Sequence, residues 1–596
     1  MYTDLKSYQI IISLLKQYGI THCVLSAGSR NVPFVHSIEE DPEFHCYSVV
    51  DERSAGYFAL GLAQELNEPV VISCTSSTAT CNYWPPVAEA FYQGVPIVVL
   101  TSDRDPQMLG QWEDQMIDQV GMYDRHVRKS VNLPIINNKD DEVYCERLVN
   151  EALLELNHRG TGPVHINVPS KTYNNSFPVK ELPTAKKINR IERSNSNVEW
   201  EEKINKLKSA KKILVTCGQK SFVSDELNIE LENFFKNYNS VISLDYMSNL
   251  NIKEGINTTV CMDGRYITKK KVQELMPDII ISFGGQIFSS IKEEFQMFKE
   301  EFEHWLIQED GRVVDTYKSI TNIFECDAEY FFQKCNMLAN EESCNDRKYY
   351  QEWKEYVDNI KIPEFPWSHA YAIKEVVEKI PSNSVLHLSI NDSIRITNFF
   401  KLNPNIKVYA NIGTHGIDGC LSSFLGQAAA TEKPSYLVIG DLAFFYDMNA
   451  LRLRHIKSNV HILLINNEGG SEFYFNKIWR NEASDLHTTA RHKTKAEQWV
   501  KENNFTYLKA VDKESLDEAL NIFMNDNNEK PVFLEVFTEM RNDSQVLYDF
   551  FDLSRPKDPK SEMIRKSKDF LKATVGQEKV CKKISFRSIV INVRYF

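Results

Sequence analysis

Residues 440–470 read GDLAFFYDMNALRLRHIKSNVHILLINNEGG. One apolar run, Tyr436–Ile439, ends in Gly440-Asp441; a second, Val460–Ile465, ends in Asn466-Asn467 and the pair Gly469-Gly470. Two runs of strand length with a helical pattern between them (DMNALRLRHI) predict a βαβ unit and so a parallel pair. Ligands of parallel sheets sit at the carboxyl ends of the strands, and Asp441 and Asn467 would project there side by side. A carboxylate, an amide oxygen and a backbone carbonyl near Gly469 form part of an octahedron. That suits Mg²⁺, or Mn²⁺ in its place, with phosphate oxygens and water filling the other positions. A helix starting after Gly440-Asp441 would turn its N-terminus to the same phosphate. Either half alone fits an ordinary βα turn or a polar loop. Together, 26 residues apart across one βαβ unit, they favour a metal–diphosphate site.

The same alternation extends along the chain. Strand-like runs HCVLSAG, HCYSVVDE, PVVISC, PIVVLTSD and VHINVPS fall in residues 1–182; KKILVTCG, SVISLDY and DIIISFGG in 200–350; SVLHLSI, KVYANIG, YLVIGD, HILLINN and PVFLEVF in 362–548. The expected fold class is α/β: three consecutive α/β domains with mainly parallel sheets, in line with a length of 596 residues, which suggests about three to four domains. No sequence repeat relates the first and third. The polar stretch from 178 to 200 reads as a linker, and 555–596 as a basic tail of unassigned role.

A hydrophobic fraction of 42%, a charged fraction of 25% and a net charge of -13 describe a globular protein without a nucleic-acid-binding face. No apolar run spans a membrane, and the N-terminus reads as an amphipathic helix rather than a signal peptide. Twelve scattered cysteines without a C-x-x-C pair argue against disulfides or zinc. The expected location is the cytoplasm.

Glu52 follows a strand and opens a helix in VVDERSAGYFALGLA; by itself it suits the helix dipole. With SAGSRN, DERSAGYFALGLA, TSSTATCNYWP, VLTSDRDPQM, DQMIDQVGMY, NIGTHGIDG, GDLAFFYDMNAL and NNEGG in this order, the chain resembles the 2-succinyl-5-enolpyruvyl-6-hydroxy-3-cyclohexene-1-carboxylate synthases, the MenD family of thiamine-diphosphate (ThDP) enzymes. The resemblance covers about residues 5–545.

It implies pyrimidine-binding, central and diphosphate-binding domains in that order, with ThDP and Mg²⁺ as cofactors. The implied reaction is decarboxylation of a 2-oxo acid, 2-oxoglutarate, with 1,4-addition to isochorismate. Glu52 is the implied activating carboxylate at the aminopyrimidine ring. Gly440, Asp441, Leu442, Asn467, Gly469, Gly470 and Ser76 would contact the cofactor, and Asp441, Asn467 and Gly469 the metal. Ile417 would be the wedge that bends the cofactor, or a core isoleucine; Phe473 would line the pocket, or fill core. Ser29, Arg30, Arg104, Gln115, Asn391 and Arg395 match substrate contacts, the arginines because substrate carboxylates call for bidentate cations. A homodimer or dimer of dimers is implied, with small-molecule substrates as partners.

Several positions depart from the family pattern. Ile412 stands for an arginine, Asn391 for a serine, Ser77 for a glycine, and Glu472 for an apolar residue. Glu113-Asp114 precede Gln115, and Lys292 is only a neighbour of an expected lysine. Three readings stay open: the synthase itself, a sister carboligase with another acceptor, and a ThDP-binding relative without turnover.

Overall fold

The computed structural model describes residues 1–171, 176–185, 187, 198–263, 267–311, 314–339, 345–475 and 486–553. Part of the linker read at 178–200 and the whole basic tail at 555–596 lie outside the described residues.

Three six-stranded sheets follow one another along the chain. The first contains β1 (His22–Leu25), β2 (His45–Ser48), β3 (Val70–Cys74), β4 (Ile97–Asp103), β5 (Ser130–Asn132) and β6 (Val164–Pro169). The second contains β7 (Ile213–Cys217), β8 (Ser240–Leu244), β9 (Ile256–Asn257), β10 (Ile279–Phe283), β11 (Glu303–Ile307) and β12 (Ile320–Phe324). The third contains β13 (Val385–Leu388), β14 (Lys407–Tyr409), β15 (Ser435–Gly440), β16 (Val460–Asn466), β17 (Thr506–Ala510) and β18 (Val532–Phe537). Every strand pair within them is parallel. Helices cover both faces, so the central strands β4 and β16 are buried at all seven positions.

The first and third sheets share one strand order, β2-β1-β3-β4-β6-β5 and β14-β13-β15-β16-β18-β17. The repeat that sequence comparison within the chain does not reveal is therefore present as topology. The middle sheet runs β12-β11-β10-β7-β8-β9, a doubly wound order.

The two equivalent domains meet through equivalent helices, Glu52–Leu66 after β2 and Cys420–Ala429 after β14. A Cβ on Gly61 would lie 1.9 Å from the Ser423 carbonyl oxygen, and one on Gly426 would lie 2.1 Å from that of Phe58. The helices thus cross backbone against backbone, which only glycine allows at these two positions. Gln427 donates to Gln64 across the crossing at 2.8 Å. One hydrophobic core runs through both domains, from Val24 and Phe58 to Phe424 and Phe444.

The βαβ unit read at 440–470 is present, with β15 and β16 paired from Ser435↔Val460 to Gly440↔Ile465. Its helix lies earlier than the pattern suggested: Asp441–Asp447, then a 3₁₀ turn at Met448–Arg452. Asp441 Oδ1 accepts from Leu442 N at 2.7 Å, and Gly440 is extended (φ -82°, ψ 161°), so the helix starts directly at the strand end.

Among the described residues no helix is long and apolar enough to cross a membrane. All ten described cysteines are free thiols.

Candidate functional site

The sequence-selected residues occupy the carboxyl edges of the two equivalent sheets. In the first, Ser29 and Arg30 follow β1, Glu52 follows β2, Ser76 follows β3 and Arg104 follows β4. Gln115 comes back to this edge on a loop, where Ser76 Oγ donates to its carbonyl at 3.0 Å. Arg30 N donates to Thr75 Oγ1 at 3.3 Å, and Arg104 Nη1 pairs with Glu113 Oε1 at 2.7 Å.

Glu52 is the first residue of its helix, capped by Asp51, whose Oδ1 accepts from Ser54 N at 3.2 Å. Its carboxylate accepts from Asn82 Nδ2 at 3.1 Å. The next residue, Arg53, reaches the third domain, where it donates to the Asp418 and Tyr446 carbonyls and stands 3.7 Å from buried Asp447. Burial raises the Asp447 pKa to about 7, against the pull of the Ser422 hydrogen bonds and Arg53.

At the edge of the third sheet lies a cavity of about 240 Å³. Asn391 after β13, Ile417 after β14, Gly440 at the end of β15 with Asp441 and Leu442 following it, and Asn467, Gly469, Gly470 and Phe473 after β16 line it together. Ile417 both lines the cavity and packs on the shared core. Its loop is held from the first domain by buried Glu89, which accepts from Gly413 N (2.8 Å) and Thr414 N (2.6 Å). Phe473 is 43% exposed and belongs to the cavity wall rather than to core.

Asp441 is 2% exposed; its Oδ2 accepts from Asn467 N at 3.1 Å and from Gly469 N at 3.0 Å. Asn467 Nδ2 donates to Asp543 at 3.0 Å. Its Oδ1 is thereby left as the atom able to meet a cation. Gly469 has φ +149°, and a Cβ there would lie 2.8 Å from the Thr489 carbonyl, so the turn requires glycine. Gly440 has nothing within 4 Å of where a Cβ would stand. That open space faces the cavity and gives a ligand room beside Asp441. The donors are a carboxylate, an amide oxygen and a carbonyl, all hard oxygen, as Mg²⁺ prefers. These residues fit a metal-bound diphosphate.

Comparison with known proteins agrees with this geometry. Residues 5–122 match the family model described as thiamine pyrophosphate enzyme, N-terminal TPP binding domain. The chain is 37% identical over 555 residues to the 2-succinyl-5-enolpyruvyl-6-hydroxy-3-cyclohexene-1-carboxylate synthase of Bacteroides thetaiotaomicron, covering 92% of this chain and 99% of that one. It is 36% identical over 562 residues to the same enzyme of Bacteroides fragilis, and 32% over 564 residues to that of Flavobacterium johnsoniae, with 92% and 99% covered in each case. The chain belongs to this synthase family. It is a ThDP-dependent enzyme.

Three residues that no motif marked complete the site of this family member. His369 is buried between Asp543 (3.3 Å) and Asp392 (3.6 Å). Burial disfavours its charged form, but the two carboxylates outweigh that and raise its pKa to about 10. His492 Nε2 stands 3.3 Å from Asp441 Oδ2, and its pKa is raised by that contact against partial burial. Asp543 comes from the last described helix, Met540–Leu553, 76 residues from Asn467 and 174 from His369, with no local pattern to signal it.

Arg395 does not line the cavity; Asp392 and Glu472 do. Its Nη1 donates to Asp392 Oδ1 at 2.9 Å and to Glu472 Oε2 at 2.6 Å. Ile412, which stands where the family pattern has an arginine, is fully buried in the core of the third domain among residues such as Val408, Ala410 and Phe400. The loop turns this side chain inward, so its character bears on packing rather than on substrate charge.

Proposed function

We propose that this chain decarboxylates 2-oxoglutarate and adds the resulting succinyl carbanion equivalent to isochorismate in a 1,4 fashion, a step of menaquinone biosynthesis. The observation that carries this reading is the strand-end set Gly440, Asp441, Asn467 and Gly469, found in a chain that aligns with the synthases over 92% of its length. Bound ThDP supplies the electron sink for the cleavage. Asp441, Asn467 and the Gly469 carbonyl hold Mg²⁺ and through it the diphosphate. Ile417 would pack against the bound cofactor, and Gly440, Leu442, Gly470, Phe473 and Ser76 would complete its binding surface. Glu52 holds and moves the proton at the aminopyrimidine ring. Ser29, Arg30, Arg104, Gln115, Asn391 and Arg395 orient the anionic substrates.

Glu52 is not among the residues that line the Asp441 cavity of its own chain. This supports a homodimer, or a dimer of dimers, in which the first domain of one copy closes the third-domain cavity of another. We assign the protein to the cytoplasm.

The test is incubation of the purified protein with ThDP, Mg²⁺, 2-oxoglutarate and isochorismate, following carbon dioxide release and product mass. A sister carboligase with another acceptor is a second reading, favoured by the engagement of Arg395 with Asp392 and Glu472. Carbon dioxide release without addition to isochorismate would select it. Absence of release from a panel of 2-oxo acids would leave only a ThDP-binding relative without turnover.

A further inference from the structure

Arg395 carries two carboxylates on one nitrogen, and they are not held alike. Asp392 also accepts from Ser471 Oγ at 3.0 Å and stands 3.6 Å from His369, and its side chain is 17% exposed. Glu472 accepts from Arg395, its carboxyl also lies against that of Asp392, and its side chain, 35% exposed, sits in the first turn of the helix Ser471–Phe475. Both line the cofactor cavity in front of the guanidinium. A substrate carboxylate arriving at Arg395 with both in place would make three anions around one cation, and like charges at such distances repel. Asp392 is fixed by its other partners. Glu472 can swing into water without leaving a buried charge behind.

We propose that Glu472 is a specificity-determining residue, a resident carboxylate that occupies the anion seat of Arg395 and yields it to the distal carboxylate of the donor. The exchange rests on the reading of the site as one for a dicarboxylic 2-oxo acid. A donor with an apolar tail recovers no ion pair from displacing Glu472, so the seat opens only for a tail that can replace it. Glu472 acts through Arg395 and is a positioning residue, not a group that touches the reacting atoms.

The experiment is calorimetric titration of the protein, loaded with ThDP and Mg²⁺, with glutarate and with valerate. Glutarate carries no oxo group and is not turned over, so this readout stands whether or not 2-oxoglutarate is the donor. Removing the competing charge in Glu472→Gln should tighten glutarate by about tenfold and leave valerate unchanged. Glu472→Ala should move glutarate in the same direction, and adding Arg395→Gln to either variant should cancel the gain. In turnover, Glu472→Gln should lower KM for 2-oxoglutarate with kcat held within about twofold, the pattern of altered uniform binding. Glutarate affinity equal in wild type and both Glu472 variants, or no saturable glutarate binding in any of them, would overturn the proposal. Wild-type turnover of 2-oxoglutarate alongside that result would leave the proposed function standing.

Discussion

Asn467 gives its side-chain amide to Asp543 Oδ2 at 3.0 Å, and this single hydrogen bond decides which of its atoms can meet a metal. Asp543 is itself fixed, accepting from Thr538 Oγ1 at 2.5 Å and from His369 N at 2.9 Å. Groups that orient a metal ligand typically account for about 10- to 100-fold in affinity. Asp543→Ala should weaken Mg²⁺-dependent ThDP binding by that factor, measured by calorimetry. Unchanged affinity would mean that Asn467 is oriented by something else.

Removing the ligand itself is more severe. Asp441→Ala should abolish saturable ThDP binding in the presence of Mg²⁺. Binding with wild-type affinity would sink the assignment of Asp441 as a metal ligand.

Glu52→Gln separates binding from activation. The cofactor should still bind, because no diphosphate contact is lost. Exchange of the thiazolium C2 proton for deuterium, followed by NMR, should slow by about 10²–10⁴-fold, the range of general acid–base help. Exchange at the wild-type rate would reduce Glu52 to a residue that opens a helix.

His369 links the site to pH. Its folded pKa of about 10 lies above the ordinary histidine value of 6.5, so the folded state binds the extra proton between these limits. The stabilisation is complete below about pH 6.5 and is lost as pH rises through about 10, with a slope of up to about 1.4 kcal/mol per pH unit. Urea midpoints of the wild type should therefore fall across this window, and those of His369→Gln should fall less. Parallel curves for the two proteins would count against a charged His369.

Ser77 takes a backbone conformation suited to glycine, φ 72° and ψ -130°, just after β3. Such strain costs about 1–3 kcal/mol. Ser77→Gly should recover about 1 kcal/mol of that and raise the thermal midpoint, since Ser77 offers its neighbours only backbone atoms among the hydrogen bonds described. A lower midpoint would show that the hydroxyl has a role of its own.

Much of the fold was legible because its central strands are fully buried and so appear as continuous apolar runs. The strands that escaped notice are short or mixed in character. Among them, β11 is interior yet begins Glu303-His304, and His304 is tolerated there because Ser282 Oγ meets its Nε2 at 2.6 Å. In the site, Asp441, Asn467 and Gly469 were legible because one βαβ unit holds them at fixed spacing. Asp543 and His369 were not, because a helix from another part of the domain brings them in and nothing local records that approach. Arg395 was singled out by its motif position, but its two carboxylate partners meet it only through folding. For Ile412 the sequence showed only the departure from an arginine, because on a loop spacing does not tell which side chain turns into the core, as this one does.

Glu52 and Arg53 are consecutive, yet Arg53 reaches across to the Asp447 side of its own chain while Glu52 stays with Asn82, apart from the Asp441 cavity. In the proposed two-copy arrangement each working centre is then owned by two polypeptides, and lesions become exchangeable between them. Mixing an Asp441→Ala chain with a Glu52→Gln chain should restore activity that neither has alone. A hybrid dimer of the two carries both lesions in one centre and none in the other. The protein should thus show allelic complementation, the genetic signature of a catalytic unit that no single chain contains.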